Sequence, residues 1–137
     1  MAFADPATGR KILDSGRGTE PQTVTLAEAC KVGDVLGYSS GWKRSLATVG
    51  TAIQGRVVAL QGGAVGDEVP VSANPVVDGY TGATAGAYVY VAEGTDNGKI
   101  TETAPDTSGD CDVIIGVALS ATKVMFFLNS RVDSTHA

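Results

Sequence analysis

From Thr23 to Phe127 the chain is a succession of short apolar or alternating runs, each closed by a turn rich in glycine or small polar residues. No long stretch carries apolar residues at helical spacing, so the pattern predicts eight to ten short strands. Val35 to Tyr38 and Trp42 to Ala47 flank Ser39-Ser40-Gly41 as one hairpin. Ala52 to Leu60 reads as a central strand with Gly55 as a bulge or point of close approach. Val65-Gly66-Asp67-Glu68-Val69 repeats the Val32-Gly33-Asp34-Val35 device, and Pro70 assigns its strand to an edge or a bulge. Asn74 to Gly86 reads as a loop with a short apolar Val76-Val77. The densest signals lie between Thr84 and Phe127. Tyr88 to Glu93 and Lys99 to Thr103 flank a turn ending in Asn97-Gly98, whose backbone preference suits a tight hairpin. Val113 to Leu119 and Lys123 to Asn129 close the fold. Thr25-Leu26-Ala27-Glu28 has the form of a capping box and leaves room for one helical turn over residues 26–31.

The ends of the chain have a different texture. Pro6, Gly9, Gly16, Gly18 and Pro21 interrupt residues 1–22, where Ile12-Leu13 is the one pair of adjacent branched aliphatic residues. This reads as a frayed terminus or as an arm that orders on a partner. Three regions follow: an arm over 1–22, a β-domain over 23–129 and a polar tail over 130–137. At 137 residues with 43% hydrophobic content the chain supports one domain with a modest core.

Charge and chemistry narrow the function classes. A net charge of −5 argues against nucleic acid, whose phosphates require a basic face. No apolar run approaches the roughly 18 residues of a membrane helix, and no signal-peptide core precedes the domain. Cys30 and Cys111 read as reduced, half-buried thiols. His136 is the one histidine and sits near the end of the tail, where no third group would orient it for catalysis. One histidine and two distant cysteines do not make a zinc site. Gly94 to Lys99 is one residue short of a phosphate loop and lacks the Ser/Thr and helix that should follow. Asp106, Asp110 and Asp112 read as a solvated acidic loop. Tyr88 and Tyr90 share a strand face, suited to packing across a sheet or between subunits, or to stacking on a sugar or base. No enzyme activity, metal or cofactor is expected, so function should lie in a surface and an assembly.

The order A-C-K-V-G-D-V-L-G-Y, G-R-V-V-A-L, G-D-E-V-P-V, G-A-T-A-G-A-Y-V-Y-V, G-K-I-T-E-T-A-P and I-I-G-V-A-L-S-A-T-K-V resembles the capsid decoration (cement) proteins of tailed bacteriophages, of the lambda head decoration kind. The resemblance covers roughly residues 23–128. It implies an all-β fold, a small β-barrel or β-tulip-like domain with an extended N-terminal arm. It also implies a homotrimer on the exterior of the expanded virion head, assembled in the host cytoplasm. There it would bind the major capsid protein and cement neighbouring capsomers against internal DNA pressure. The arm would supply the capsid-binding residues, read here as Arg10, Lys11, Ile12, Leu13 and Arg17. Alternatives are another phage structural β-module (tail tube, tail tip or fibre) and a carbohydrate- or peptide-binding β-domain.

Overall fold

The computed structural model of the chain describes residues 2–16, 22–130 and 132–137. Arg17 lies outside the described residues. Among them are eleven strands and one 3-10 turn: β1 (Lys11–Asp14), β2 (Gln22–Thr25), β3 (Val35–Tyr38), β4 (Trp42–Arg44), β5 (Val57–Ala59), β6 (Glu68–Ser72), β7 (Val76–Asp78), β8 (Tyr88–Val91), β9 (Ile100–Thr101), β10 (Gly116–Ala118), β11 (Lys123–Phe126) and the turn Leu128–Ser130. They form two antiparallel sheets, ordered β1-β7-β11-β10-β8-β9 and β2-β6-β5-β3-β4. The protein is all-β. Its two sheets stay open at their edges, so the architecture is a sandwich and not a closed barrel.

The two-residue period of the strands explains the layering. Val77, Val89, Val91, Val124 and Phe126 of the six-stranded sheet meet Val35 and Val58 of the other in one core, completed by Tyr80, Ile115 and Leu128. The alternate residues Leu36, Ala59, Val69 and Val71 point to the opposite face of the five-stranded sheet. There the chain around Leu26 and Cys30 crosses over them and seals a second, smaller core. No helical turn forms over 26–31. The Glu28 carboxylate accepts from the Arg44 backbone N–H and Nε, both at 3.0 Å, and does not turn back to cap its own segment.

Several sequence expectations change on the way to three dimensions. β6 is a central strand between β2 and β5. Pro70 is tolerated because its carbonyl still accepts from Leu60 N–H at 2.9 Å, and the donor it lacks lies on that same side. Val76-Val77, expected in a loop, begins β7, which sits between β1 and β11. The expected strand over 52–60 shrinks to Val57–Ala59. A Cβ on Gly55 would come within 2.9 Å of a Val35 methyl, so close approach is its role.

The largest revision concerns the ends. Residues 2–16 do not behave as a separate arm. β1 adds to β7, with Lys11 opposite Asp78 and Ile12 opposite Val77. Ala4 bridges Thr81, and Phe3 stacks on Tyr80 with ring centroids 5.9 Å apart. Beneath them Arg10 is 3% exposed. Its guanidinium meets Asp5 at 3.3 Å and Asp34 at 2.5 Å and donates to the carbonyls of Ala7 and Gly33. The tail is engaged as well: Cys111 bridges Thr135, and Arg56 pairs with Asp133.

Candidate functional site

The described residues bring together no catalytic constellation. No group of three or more His, Cys, Asp or Glu side chains is placed to hold a metal ion among them. His136 Nδ1 lies 3.8 Å from Asp112 Oδ2, with no nucleophile completing a triad. Cys30 and Cys111 are both free and buried, and burial pushes each thiol up to about 11, away from the reactive thiolate. None of the described helical segments is long and apolar enough to cross a membrane.

The acidic loop holds one unusual pair. Asp110 is buried and accepts from Val49 N–H at 2.7 Å and Thr107 N–H at 3.2 Å. Its carboxylate also accepts a hydrogen bond from the Glu93 carboxyl, which, with partial burial and the Asp110 charge, raises the Glu93 pKa. Hydrogen bonds from Glu93, Val49 and Thr107 hold Asp110 low. A raised carboxyl stabilises the fold below its unfolded pKa, and that contribution is lost as pH rises through the folded value. Ionising Glu93 beside the Asp110 carboxylate therefore works against the fold, increasingly so as pH rises. Glu93→Gln keeps the donor and removes the charge, so it should raise Tm at pH 7 by about 2 °C. The gain should fade as pH falls and Glu93 itself takes up a proton. Melting curves at several pH values check this, and an equal gain at both ends of the range would contradict it.

What the fold does present is a face. On the outer side of the six-stranded sheet, cross-strand neighbours run Asp14, Val76, Met125, Val117 and Tyr88 in one row. Their partners in sequence, Val77, Val124, Phe126 and Val89, are the ones in the core. Tyr88 is 53% and Met125 38% exposed, and Leu119 and Leu13 are also among the exposed apolar residues. A second row, Lys11, Asp78 and Lys123, lies beside the first. The neighbouring Thr122 hydroxyl and Gly79 N–H, with smaller help from both lysines, hold the Asp78 carboxyl below the usual range. At the β1 end the row opens into a groove of about 560 Å³, where Asp14, Asn74 and Asn129 rim the apolar Val76, Met125 and Phe127. A register irregularity between Ile12 and Asp14 marks a bulge in β1 at this margin.

The capsid-binding set read from the sequence is divided by this geometry. Arg10 points inward and is spent on its two carboxylates. Ile12 packs against the main core. Lys11 and Leu13 are exposed beside the outer face, Leu13 at 50%. Val76, Met125 and Val117 were not legible as a site. Each sits in a run whose alternation is visible, but which residues stand side by side depends on strand order and register. Tyr88 and Tyr90 do share a face, as their spacing indicates, and Tyr88 ends the apolar row.

Compared with protein-family models, with curated proteins and with solved structures, the chain finds no match.

Proposed function

We propose that the chain is a structural virion protein, a decoration protein that binds the outside of an expanded phage head as a homotrimer and cements neighbouring capsomers. The observation that carries the reading is the solvent-facing apolar row Val76–Met125–Val117–Tyr88 on an open sheet face. A contiguous exposed apolar strip is costly to leave in water and marks a place where another surface docks. The pattern of strands and turns that resembles phage cement proteins supplies the kind of partner, the major capsid protein. Weak contacts repeated three times on one trimer would hold by avidity. The outer sheet face, with Lys11 and Leu13 at its margin, takes the place of a free arm as the principal contact.

The test is to mix the purified protein with expanded and with unexpanded empty heads and to measure what co-sediments. Binding to expanded heads alone, from a particle that light scattering sizes as a trimer, is the expected result. Met125→Glu should leave the fold intact, because the side chain already faces solvent. It should cut binding at least tenfold, since burying an unpaired carboxylate costs more than about 2 kcal/mol. Binding to neither form of the head would overturn the proposal, and full binding by Met125→Glu would move the contact off this face.

A further inference from the structure

Residues 109–112 are the middle of a three-segment patch at one end of the sandwich. On one side Cys111 N–H donates to the Ala47 carbonyl at 2.9 Å. On the other lies the C-terminal segment. Gly109 N–H donates to the His136 carbonyl, His136 N–H to the Asp110 carbonyl and Asp112 N–H to the Ser134 carbonyl, at 2.8, 2.8 and 3.2 Å. Side chains add to this grip. Ser134 Oγ donates to Asp112 at 2.6 Å, Gln54 Nε2 donates to the Ser134 carbonyl at 3.2 Å, and Arg56 makes a two-pronged pair with Asp133.

The segment contributes no side chain to either core. Val132 is 85% exposed, and of residues 132–137 only His136 is half-buried. Each backbone bond contributes about 1 kcal/mol net, and an exposed ion pair less than about 1 kcal/mol. Elements with few apolar contacts and many solvent-exposed hydrogen bonds open at far lower free energy than the body they rest on. We infer that residues 132–136 are a strap that opens while the sandwich stays folded, baring the edge of residues 109–112 and loosening the cover over Cys111. The bared groups are the N–H of Gly109 and of Asp112 and the carbonyl of Asp110, where the chain leaves the turn closed by Asp110 N–H on the Thr107 carbonyl, with Gly109 at φ +94°. The strap is therefore an element that opens locally, at a place separate from the outer sheet face.

The two thiols provide the test. Cys30 and Cys111 are both buried and are pushed up to the same value, about 11, but only Cys111 lies beside the strap. Iodoacetamide labelling of the full chain, read by mass spectrometry, follows each separately. Arg56→Ala and, independently, Asp133→Asn should speed Cys111 labelling about three- to fivefold, the range an exposed ion pair allows. The Cys30 rate and the urea midpoint should not change. In the unaltered chain, the amides of Gly109, Asp112 and His136 should exchange with deuterium together and far faster than those of Ala47 and Ile115. Equal acceleration of both thiols, no acceleration of Cys111, or exchange of the strap-bonded amides at the rate of Ala47 and Ile115 would each overturn the inference.

Discussion

Arg10→Ala is expected to lower stability by about 3–5 kcal/mol, the cost of removing one partner from a buried ion pair. The guanidinium is the counter-charge for Asp5 and Asp34, which are 9% and 3% exposed. Burial pushes the Asp5 carboxyl above its usual range despite the attraction of Arg10. For Arg10 the attraction of Asp5 and Asp34 outweighs the cost of burial, so it stays charged. Both carboxylates are also fixed by backbone donors: Asp5 accepts from Ala7 and Ile100, and Asp34 from Lys31. Without the arginine, Asp5 reaches water only if the N-terminal segment leaves, and Asp34 only once that segment has uncovered it. That departure would uncover the Phe3–Tyr80 stack and the free edge of β7, so the loss spreads beyond one side chain. A urea titration gives the size of the effect through the shift in midpoint. Two charges left without a partner make a specific second prediction. Adding Asp5→Asn to Arg10→Ala should recover part of the loss, because an amide oxygen still accepts from Ile100 N–H without carrying charge. A cost below about 1 kcal/mol, as for an exposed pair, would mean that the triad does not hold the segment down.

The same triad shows where sequence reading stops. Residues 1–22 look like an arm because Pro6, Gly9 and Gly16 interrupt them and Ile12-Leu13 is their one pair of adjacent branched aliphatic residues. A strand held by one inward isoleucine and one buried arginine has no local signature. Arg10 finds Asp34, 24 residues away, and its other carboxylate, Asp5, accepts from Ile100 N–H, 95 residues away. Where the interactions are local, the reading holds well. The Tyr88 hairpin forms as β8 and β9 around Gly94 and Gly98, both with positive φ. β3 and β4 turn through Ser40 and Gly41, likewise at positive φ. The misplacements of β6 and β7 share one physical cause. Strand order within a sheet is set by the whole set of cross-strand contacts, and Pro70 or a short Val76-Val77 run cannot report it. The apolar row on the outer face was hidden for the same reason, because alternation fixes two faces but not which of them meets solvent.

Among the described glycines, Gly37→Ala should be the most damaging substitution by alanine, at roughly 3 kcal/mol, the upper end for overpacking. Gly37 lies in β3, opposite Lys43 of β4, and its backbone does not require positive φ. Its requirement is space. A Cβ there would overlap the Gln54 carbonyl oxygen and come within 2.6 Å of the Ile53 side chain. Gln54 has little freedom to retreat, because Ile53 is bonded to Leu46 through both its N–H and its carbonyl. Arg56 N–H in turn donates to Leu36 at 2.8 Å, so the chain is pinned on both sides of the contact. Relief would have to come from β3 and β4, whose outer end carries the edge-to-face pair Tyr38 and Trp42, ring centroids 5.5 Å apart. Tryptophan fluorescence therefore reports the event, since Trp42 is the one tryptophan. A lower urea midpoint with a shifted native emission is expected for Gly37→Ala. Gly86→Ala serves as a control, since open space surrounds its Cβ position and its positive φ alone is strained. It should cost at most about 1–2 kcal/mol and leave the Trp42 emission unmoved. Equal losses in the two variants, with no change at Trp42, would show that backbone conformation and not crowding sets the cost at Gly37.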